Sequence, residues 1–362
     1  MHVLLISLDS GVFTKKSDVA ERLRKYTKHV DFLSVIAYTP ARGLKPVRIA
    51  KNAIVYPTNS RTSLLFPWQA VKMGSKIHEK HPISVIVTQD AHATGLAGML
   101  LKQKYGIPLQ VQLHGDYINN KWWLSSPTRR LLNKLGVRVV RQADNIRVVS
   151  MRVEKRLLAF GIPKSRIVRF PIFVNVKRFA KSRARKIAGN PVFLFVGRLA
   201  EEKNVPLLLR AFAGLKFPKG KLVIVGEGKE KSKLTSLVRQ LGIDRQVVFV
   251  GRADPAPYYK SATALILPSL HEGWGLVAVE AAAAGCPVVM TDVGCAGEVI
   301  IHSKSGLVVP VNNLKGLQDA MRRMTDERLR KKFAKNAARI VKKLPSEEET
   351  VKMLVESWKA IE

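Results

Sequence analysis

The sequence predicts an α/β chain of two halves, each built on a parallel sheet. Short apolar runs alternate with helical stretches along the chain, a rhythm that calls for parallel strands joined by helical crossovers. The 362 residues, 46% of them hydrophobic, can bury a core in each of two domains of about 170 residues. Between residues 174 and 190 the composition turns polar and basic with no strong apolar period, which marks the end of the first half and a linker.

The strands come in order at 3–8, 30–36, 85–87, 109–113 and 145–149, then in a second set from 193 onward. Residues 1–8 read as a buried strand rather than a secretion signal, because a basic flank, an adequate apolar stretch and a small-residue cleavage site are all missing. No window approaches the roughly 20 uncharged apolar residues needed to span a bilayer, so a soluble, non-exported protein is expected. Cys286 and Cys295 are the two cysteines, without a Cys-x-x-Cys or Cys/His cluster; neither a disulfide framework nor a zinc site is indicated, and a reducing cytoplasm fits. The stretch 347–362 is a helix with a one-sided stripe of Val351, Leu354, Val355 and Trp358, and Pro345-Ser346 marks its start.

The most informative segment is 269–286, S-L-H-E-G-W-G-L-V-A-V-E-A-A-A-A-G-C. Pro268 ends the strand 264–267, so the turn that follows lies at a strand's C-terminal edge. Gly273 and Gly275 let the backbone come close to a bound group, and a helix starting near Gly275 offers unpaired N–H groups and a positive dipole end to a phosphate. Glu280 lies roughly 7–8 Å along that helix, within reach of the opposite end of one elongated ligand from Glu272, so that one carboxylate would hold sugar hydroxyls and the other a ribose. Alone, the two glutamates also read as a solvated turn residue and a water-facing helix residue. The rest of the chain changes that balance. The strand F-L-F-V-G-R at 193–198 leads through L-A-E-E-K-N into a helix at 205–215, so Arg198 and Lys203 flank the loop after a parallel strand, where α/β sheets bind ligands. Two cations and a helix end make a diphosphate site.

F-V-G-R-L-A-E-E-K-N followed by P-S-L-H-E-G-W-G-L-V-A-V-E-A-A-A-A-G-C-P-V-V resembles the retaining GT-B glycosyltransferases of the large family 4 type. The likeness covers most of 191–309, including I-V-G-E-G near Gly226, V-F-V-G-R near Gly251 and S-G-L-V-V-P near Gly306. It implies two Rossmann-like domains with parallel sheets facing across a cleft. Residues 1–175 would bind the acceptor, with helix 347–362 packing back on them, and residues 176–346 would bind a nucleoside-diphosphate sugar. It further implies that Arg198, Lys203, Gly275 and Leu276 hold the donor diphosphate, Glu272, Gly273 and Trp274 the sugar, and Glu280 the ribose, with Gly251 and Arg252 beside the base. His114, at the end of strand 109–113, would face the cleft beside the anomeric centre and hydrogen-bond the sugar. Asp116 either orients it or caps the following segment. Gly11 stands where the resembled pattern has a glycine pair that meets phosphate and acceptor. Two further departures, at 171–179 and in D-V-G-C-A-G-E with Gly294 and Gly297 separated, touch hinge and pocket rim. They bear on substrate identity more than on reaction class.

The chain contains no Asp-x-Asp to hold Mg²⁺ on a diphosphate, so Arg198, Lys203 and the helix end must neutralise the leaving group, which predicts metal-independent transfer with the nucleotide sugar as substrate and no cofactor. Gly226-Glu227-Gly228-Lys229 lacks the third glycine of a dinucleotide loop and reads as a turn. The net charge is +35. Residues 1–190 hold 35 Lys and Arg against 9 Asp and Glu, net +26, and residues 191–362 hold 27 against 18, net +9. A basic first half is attracted to polyanions and anionic lipid. Trp122 and Trp123, between Lys121 and Arg129-Arg130, form an aromatic-basic stretch suited to a headgroup layer, or else lie in the core. The resulting expectation is a cytoplasmic enzyme, peripheral on the inner face of the membrane, that takes a glycan or lipid-linked acceptor in surface polysaccharide or glycolipid synthesis. The alternatives are a nucleotide-sugar epimerase or hydrolase on the same scaffold, and a nucleic-acid-binding protein, for which no Arg/Gly repeat, zinc finger or RNP-like motif speaks.

Overall fold

The computed structural model describes residues 1–14, 17–40, 43–118, 120 and 123–362. These fall into two compact units, 1–171 with 348–362, and 172–347.

In unit 1 the strands are β1 (His2–Ser7), β2 (Phe32–Ala37), β3 (Val47–Ala50), β4 (Ala53–Pro57), β5 (Val85–Thr88), β6 (Leu109–Leu113), β7 (Asn145–Val148) and β8 (Ile167–Arg169), in the sheet order β3-β4-β2-β1-β5-β6-β7-β8. Neighbours pair parallel except β3, which runs antiparallel to β4. The helices are α1 (Asp18–Tyr26), α2 (Phe66–Lys80), α3 (Ala93–Tyr105), α4 (Pro127–Gln142) and α5 (Met151–Ala159). Helices α2, α3 and α4 bury Phe66, Leu101 and Val139 against Leu4, Ile86 and Val111 on one face of the sheet. On the other face Leu23 and Tyr26 of α1 meet Val3, Leu5 and Val35. Strands covered on both faces are apolar on both, which is why β1 and β5 read as near-continuous runs, while β6 carries the buried Gln110 and Gln112 and hydrogen-bonds through Gln110 to the last helix of the chain. The edge strands β3 and β8 escape the sequence pattern for the opposite reason. β3 is exposed or half-buried throughout, so it carries no such run.

Unit 2 consists of α6 (Val176–Lys181), β9 (Val192–Val196), α7 (Val205–Leu215), β10 (Lys221–Val225), α8 (Lys231–Gln240), β11 (Val247–Gly251), α9 (Ala256–Ser261), β12 (Ala264–Leu267), α10 (Leu276–Ala284), β13 (Val288–Thr291), β14 (Leu307–Val309), α11 (Leu314–Arg323) and α12 (Glu327–Val341). Its sheet runs β11-β10-β9-β12-β13-β14 with every pairing parallel. The chain steps from β9 to β10 and β11 on one side and returns to β12 on the other. The loops after β9 and β12 therefore flank the switch point of the sheet, the position where such folds bind ligands. The basic stretch expected to be a linker contains α6, whose start is capped by the Asn175 side chain accepting from the Arg178 N–H.

The last helix, α13 (Glu347–Lys359), packs on unit 1. Trp358 is fully buried, its ring edge-on to Tyr26 at 5.6 Å, and its indole N–H donates to Gln110 Oε1 at 2.9 Å. This arrangement changes the charge map. Unit 1 carries 31 Lys and Arg against 13 Asp and Glu, net +18, and unit 2 carries 31 against 14, net +17. The linker cations fold into unit 2 and the glutamates of the last helix into unit 1, so the basic first half is an effect of cutting the chain at residue 190. The expected membrane attraction through a distinctively basic N-terminal domain loses that premise.

Candidate functional site

In unit 2, the loop from β9 to α7 and the loop from β12 to α10 are tied together: the Leu270 N–H donates to the Glu202 carbonyl at 2.8 Å. Lys203 and Glu272 meet there. The Lys203 ammonium donates to Glu272 Oε1 at 2.6 Å, and the Ser269 hydroxyl donates to the same oxygen at 2.8 Å. Ser269 is fully buried and Glu272 is buried. Thr291 at the end of β13 donates to the Ser269 carbonyl at 2.6 Å and so steadies the turn from the neighbouring strand. Sequence reasoning did not find Ser269 or Thr291. The Ser-x-x-Glu spacing of 269 and 272, which lets a hydroxyl and a carboxylate three residues apart work on one turn, was the available signal for the first.

Gly275 adopts φ +81° as the N-cap of α10, and no side chain caps the helix start. The Leu276 and Val277 N–H groups, with the positive end of the helix dipole, are therefore open to an anion without competition from a capping side chain, while the Ala278 N–H donates to the Gly275 carbonyl at 2.9 Å. The neighbouring Gly294, at φ +55°, supports this turn from below. A Cβ there would lie 2.7 Å from the Trp274 carbonyl and 2.9 Å from Glu272 Cβ, while the Cys295 N–H donates to the Trp274 carbonyl at 2.8 Å. The departure from the family pattern at D-V-G-C-A-G-E is thus the floor of the glutamate turn. Trp274 itself is buried, with its indole nitrogen unpartnered, so its side chain packs inward and only its backbone is left for the sugar contact expected of it.

The other expected site residues sit in separate pairs. Arg198 is largely exposed and its guanidinium donates to Glu202 Oε1 at 2.7 Å. Glu280 accepts from the Tyr259 hydroxyl of α9 at 2.9 Å, and burial pushes its carboxyl above the usual carboxylate range. The Gly251 carbonyl accepts from the Gly226 N–H at 2.8 Å, and Arg252 is exposed. The Gly226-Glu227-Gly228 turn is a packing device: a Cβ on Gly226 would lie 1.9 Å from the Gly197 carbonyl oxygen, so only glycine lets the loops after β9 and β10 touch. Burial pushes the Cys286 thiol up to about 12, and Cys295 is likewise a buried free thiol. Among the described residues no cluster of three His, Cys, Asp or Glu is arranged to hold a metal ion.

In unit 1, His114 follows β6. Burial first, then the nearby guanidinium groups of Arg147 and Arg22, push its imidazole down to about 3, so it is neutral at physiological pH. Arg147 is buried in β7, donating to Gln112 Oε1 at 3.3 Å and lying 4.4 Å over the Phe170 ring; burial lowers its guanidinium to about 10. Asp116 is buried and paired with helix α5. Its carboxylate takes Arg156 of α5 in a two-pronged contact, at 2.6 Å from Nε and 3.0 Å from the second nitrogen, with Asn120 at 3.2 Å. The Gly11 N–H is committed to Asp9 Oδ1 at 2.9 Å in a short 3₁₀ turn, so it is not offered to a phosphate. Lys15 and Lys16 of that loop lie outside the described residues, as do Lys121 and Trp122. Trp123 stacks on His92 at 5.8 Å, with Arg129 over its ring, and so belongs to an aromatic cluster of the protein rather than to a free surface.

Two family models match the chain: "Glycosyl transferases group 1" over residues 176–340 and "Glycosyl transferase 4-like domain" over residues 16–172. The chain is similar to glycogen synthase of Mycobacterium tuberculosis, 30% identical over 236 residues, covering 63% of this chain and 56% of the relative. It therefore spans little more than half the length of that protein. Among solved structures it is similar to sucrose-phosphate synthase from Thermosynechococcus elongatus, with a TM-score of 0.82 at 21% identity over 99% of this chain and 98% of that one. It is also similar to HepE from Anabaena in complex with UDP, with a TM-score of 0.76 at 19% identity over 99% and 100%. At these identities the likeness is one of fold.

Proposed function

The chain belongs to the group 1 glycosyltransferases, and from the arrangement of its strand-end loops we propose that it moves a sugar, with retention at the anomeric carbon, from a nucleoside-diphosphate sugar to a glycan or lipid-linked acceptor. The observation that carries this reading is the partly buried Lys203–Glu272 pair beside the uncapped start of α10, at the switch point of a parallel sheet. A diphosphate entering there exchanges for the carboxylate on Lys203 and takes the α10 amides, which together offset the charge that develops as the nucleoside diphosphate leaves. Arg198 turns from Glu202 to the same group, a small cost because an exposed ion pair holds it by about 0–1 kcal/mol. Glu272, released from Lys203, accepts sugar hydroxyls, and Glu280 accepts from the ribose. The UDP seen in HepE, on the same fold, supports a nucleoside diphosphate as ligand class.

His114 serves as a neutral hydrogen-bonding group against the sugar. Held neutral, the imidazole suits this hydrogen-bonding role better than that of a general base. The cations and the helix end bring positive charge to the leaving group, and the reading includes turnover without a metal ion. It has the enzyme act on the cytoplasmic side of a membrane, in surface polysaccharide or glycolipid assembly; among the described residues no helix is long and apolar enough to cross one.

The test is thermal-shift screening with UDP-, GDP- and ADP-sugars, followed by NMR of the product formed in EDTA. A ligand that binds only the native state raises the midpoint by mass action. No stabilisation by any of the three donors would sink the donor reading, an inverted product would remove retention, and turnover abolished by EDTA and restored by Mg²⁺ would remove metal independence.

A further inference from the structure

Helix α10 is buried along most of its length, and its half-exposed residues, Leu276, Val277 and Glu280, form one stripe at i, i+1 and i+4. The stripe begins at the N–H groups open to an anion and reaches Glu280 about 6 Å further along the axis. The Glu280 carboxylate is divided between two environments. Its Oε2 accepts from the Tyr259 hydroxyl at 2.9 Å, and the half-exposed side chain keeps Oε1 for the open stripe.

Tyr259 is 1% exposed, and its place is fixed from several sides. Its ring meets Phe179 of α6 edge-on at 6.0 Å. The segment after α6 straps the backbone of α9: the Ser182 hydroxyl donates to the Ala256 carbonyl at 3.3 Å, and the Arg185 N–H donates to the Pro257 carbonyl at 3.2 Å. The Arg185 guanidinium also lies 5.3 Å over the Tyr258 ring. A phenylalanine would fill the same buried space, so what the tyrosine adds is one fixed donor aimed at one carboxylate oxygen.

We propose that Tyr259 is a positioning residue for the nucleotide: its hydroxyl holds Glu280 in the rotamer from which Oε1 accepts the ribose hydroxyls. This rests on the donor reading, which assigns Glu280 to the ribose. An unheld glutamate loses side-chain freedom on binding, and the tyrosine removes that cost in advance. The hydroxyl also acts on charge. Burial raises the Glu280 carboxyl above the usual carboxylate range, Tyr259 and Arg178 of α6 draw it back down, and Asp254, ahead of α9, pushes it up. Without the hydroxyl the carboxyl ionises at higher pH. Affinity that depends on the carboxylate is present above that pH and is lost on acidification, so the loss then begins at higher pH.

The experiment is calorimetric titration of the full chain with UDP, GDP and ADP, and with the dideoxyribose analogue of each that binds. Wild type should prefer the hydroxylated nucleotide, and Tyr259→Phe should reduce that preference about tenfold while leaving affinity for the analogue near the wild-type value. The same substitution should move the acid limb of affinity to higher pH, and in a Glu280→Gln background it should add little. A preference and an acid limb unchanged in Tyr259→Phe overturn the proposal. Equal losses for the nucleotide and its analogue also overturn it and assign the tyrosine to packing. Should Tyr259→Phe fail to fold, Phe179→Leu decides: it loosens the seat of the ring while keeping the hydroxyl, so a reduced preference supports the proposal and an unchanged one overturns it. Wild-type binding with no preference between nucleotide and analogue removes Glu280 from the ribose, and the proposal with it, but keeps the donor reading. No binding of any of the three nucleotides defeats both.

Discussion

The two units assemble their polar groups over different distances. In unit 2, Lys203 and Glu272 are 69 positions apart in sequence, yet each sits in a short loop leaving one of two adjacent strands, so strand order alone brings them together. In unit 1 the buried polar row under α13 is closed from the far end of the chain, with Gln110 donating to the Ser357 hydroxyl, 247 positions away, at 2.9 Å and accepting from Trp358. Unit 2 shows how much a glycine-defined loop can specify by itself. Unit 1 shows a surface whose interior polarity is satisfied only after the chain has returned.

The contrast breaks most readily at Trp358. Trp358→Ala empties a fully buried site and removes the indole donor to Gln110, for an expected loss of about 3–5 kcal/mol, read by urea unfolding. A loss below about 1 kcal/mol would show that unit 1 does not depend on its distant helix.

In unit 2 the expected effect falls on rate. Lys203→Ala should lower kcat about a hundredfold or more, and should also cost about 1–3 kcal/mol of stability because Glu272 is left buried without its cation. Adding Glu272→Gln should return the stability and leave the activity low. Recovery of activity in the double variant would mean that the pair is structural. Gly294→Ala sharpens the same point at a smaller scale. The Cβ contacts with Trp274 and Glu272 and the positive φ predict a loss of about 1–3 kcal/mol together with a raised KM for the donor, and a wild-type KM would detach this loop from the site.

The smallest effect at neutral pH is expected at His114. Its imidazole is held at about 3, against 6.5 ordinarily, so between these values the unfolded chain takes up a proton that the native state refuses. The stability contributed by neutral His114 is complete above about 6.5 and declines as pH falls toward 3. His114→Gln should flatten stability against pH across that window and change it little near pH 7.5. An unchanged acid limb would place the histidine in contact with solvent.

Several elements were legible because their determinants are local. The 264–267 strand is stopped by Pro268, and the 205–215 helix follows a left-handed Asn204 with proline at its second position; both keep these bounds in the structure. The two parallel-sheet halves follow from the alternation of apolar runs and helices. The β3–β4 hairpin was not legible, because an edge strand half open to water has no continuous apolar run to show. Nor was the commitment of Asp116 to Arg156, Gly11 to Asp9 or Glu280 to Tyr259. Each depends on which donor arrives from another element or an adjacent turn, and a carboxylate's identity does not name its partner.

The amino-acid sequence by itself determined the fold class, the family likeness and the positions of the glycine-broken loops, since periodicity, proline and glycine act through backbone geometry within a few residues. Only the tertiary structure decided which charges neutralise one another, which tryptophan is buried and which exposed, and how the net charge divides between the units. The reason is that pairing and burial are properties of distance in space, and those distances come into being when loops 69 positions apart are brought together by adjacent strands, or a strand is covered by a helix 247 positions further on.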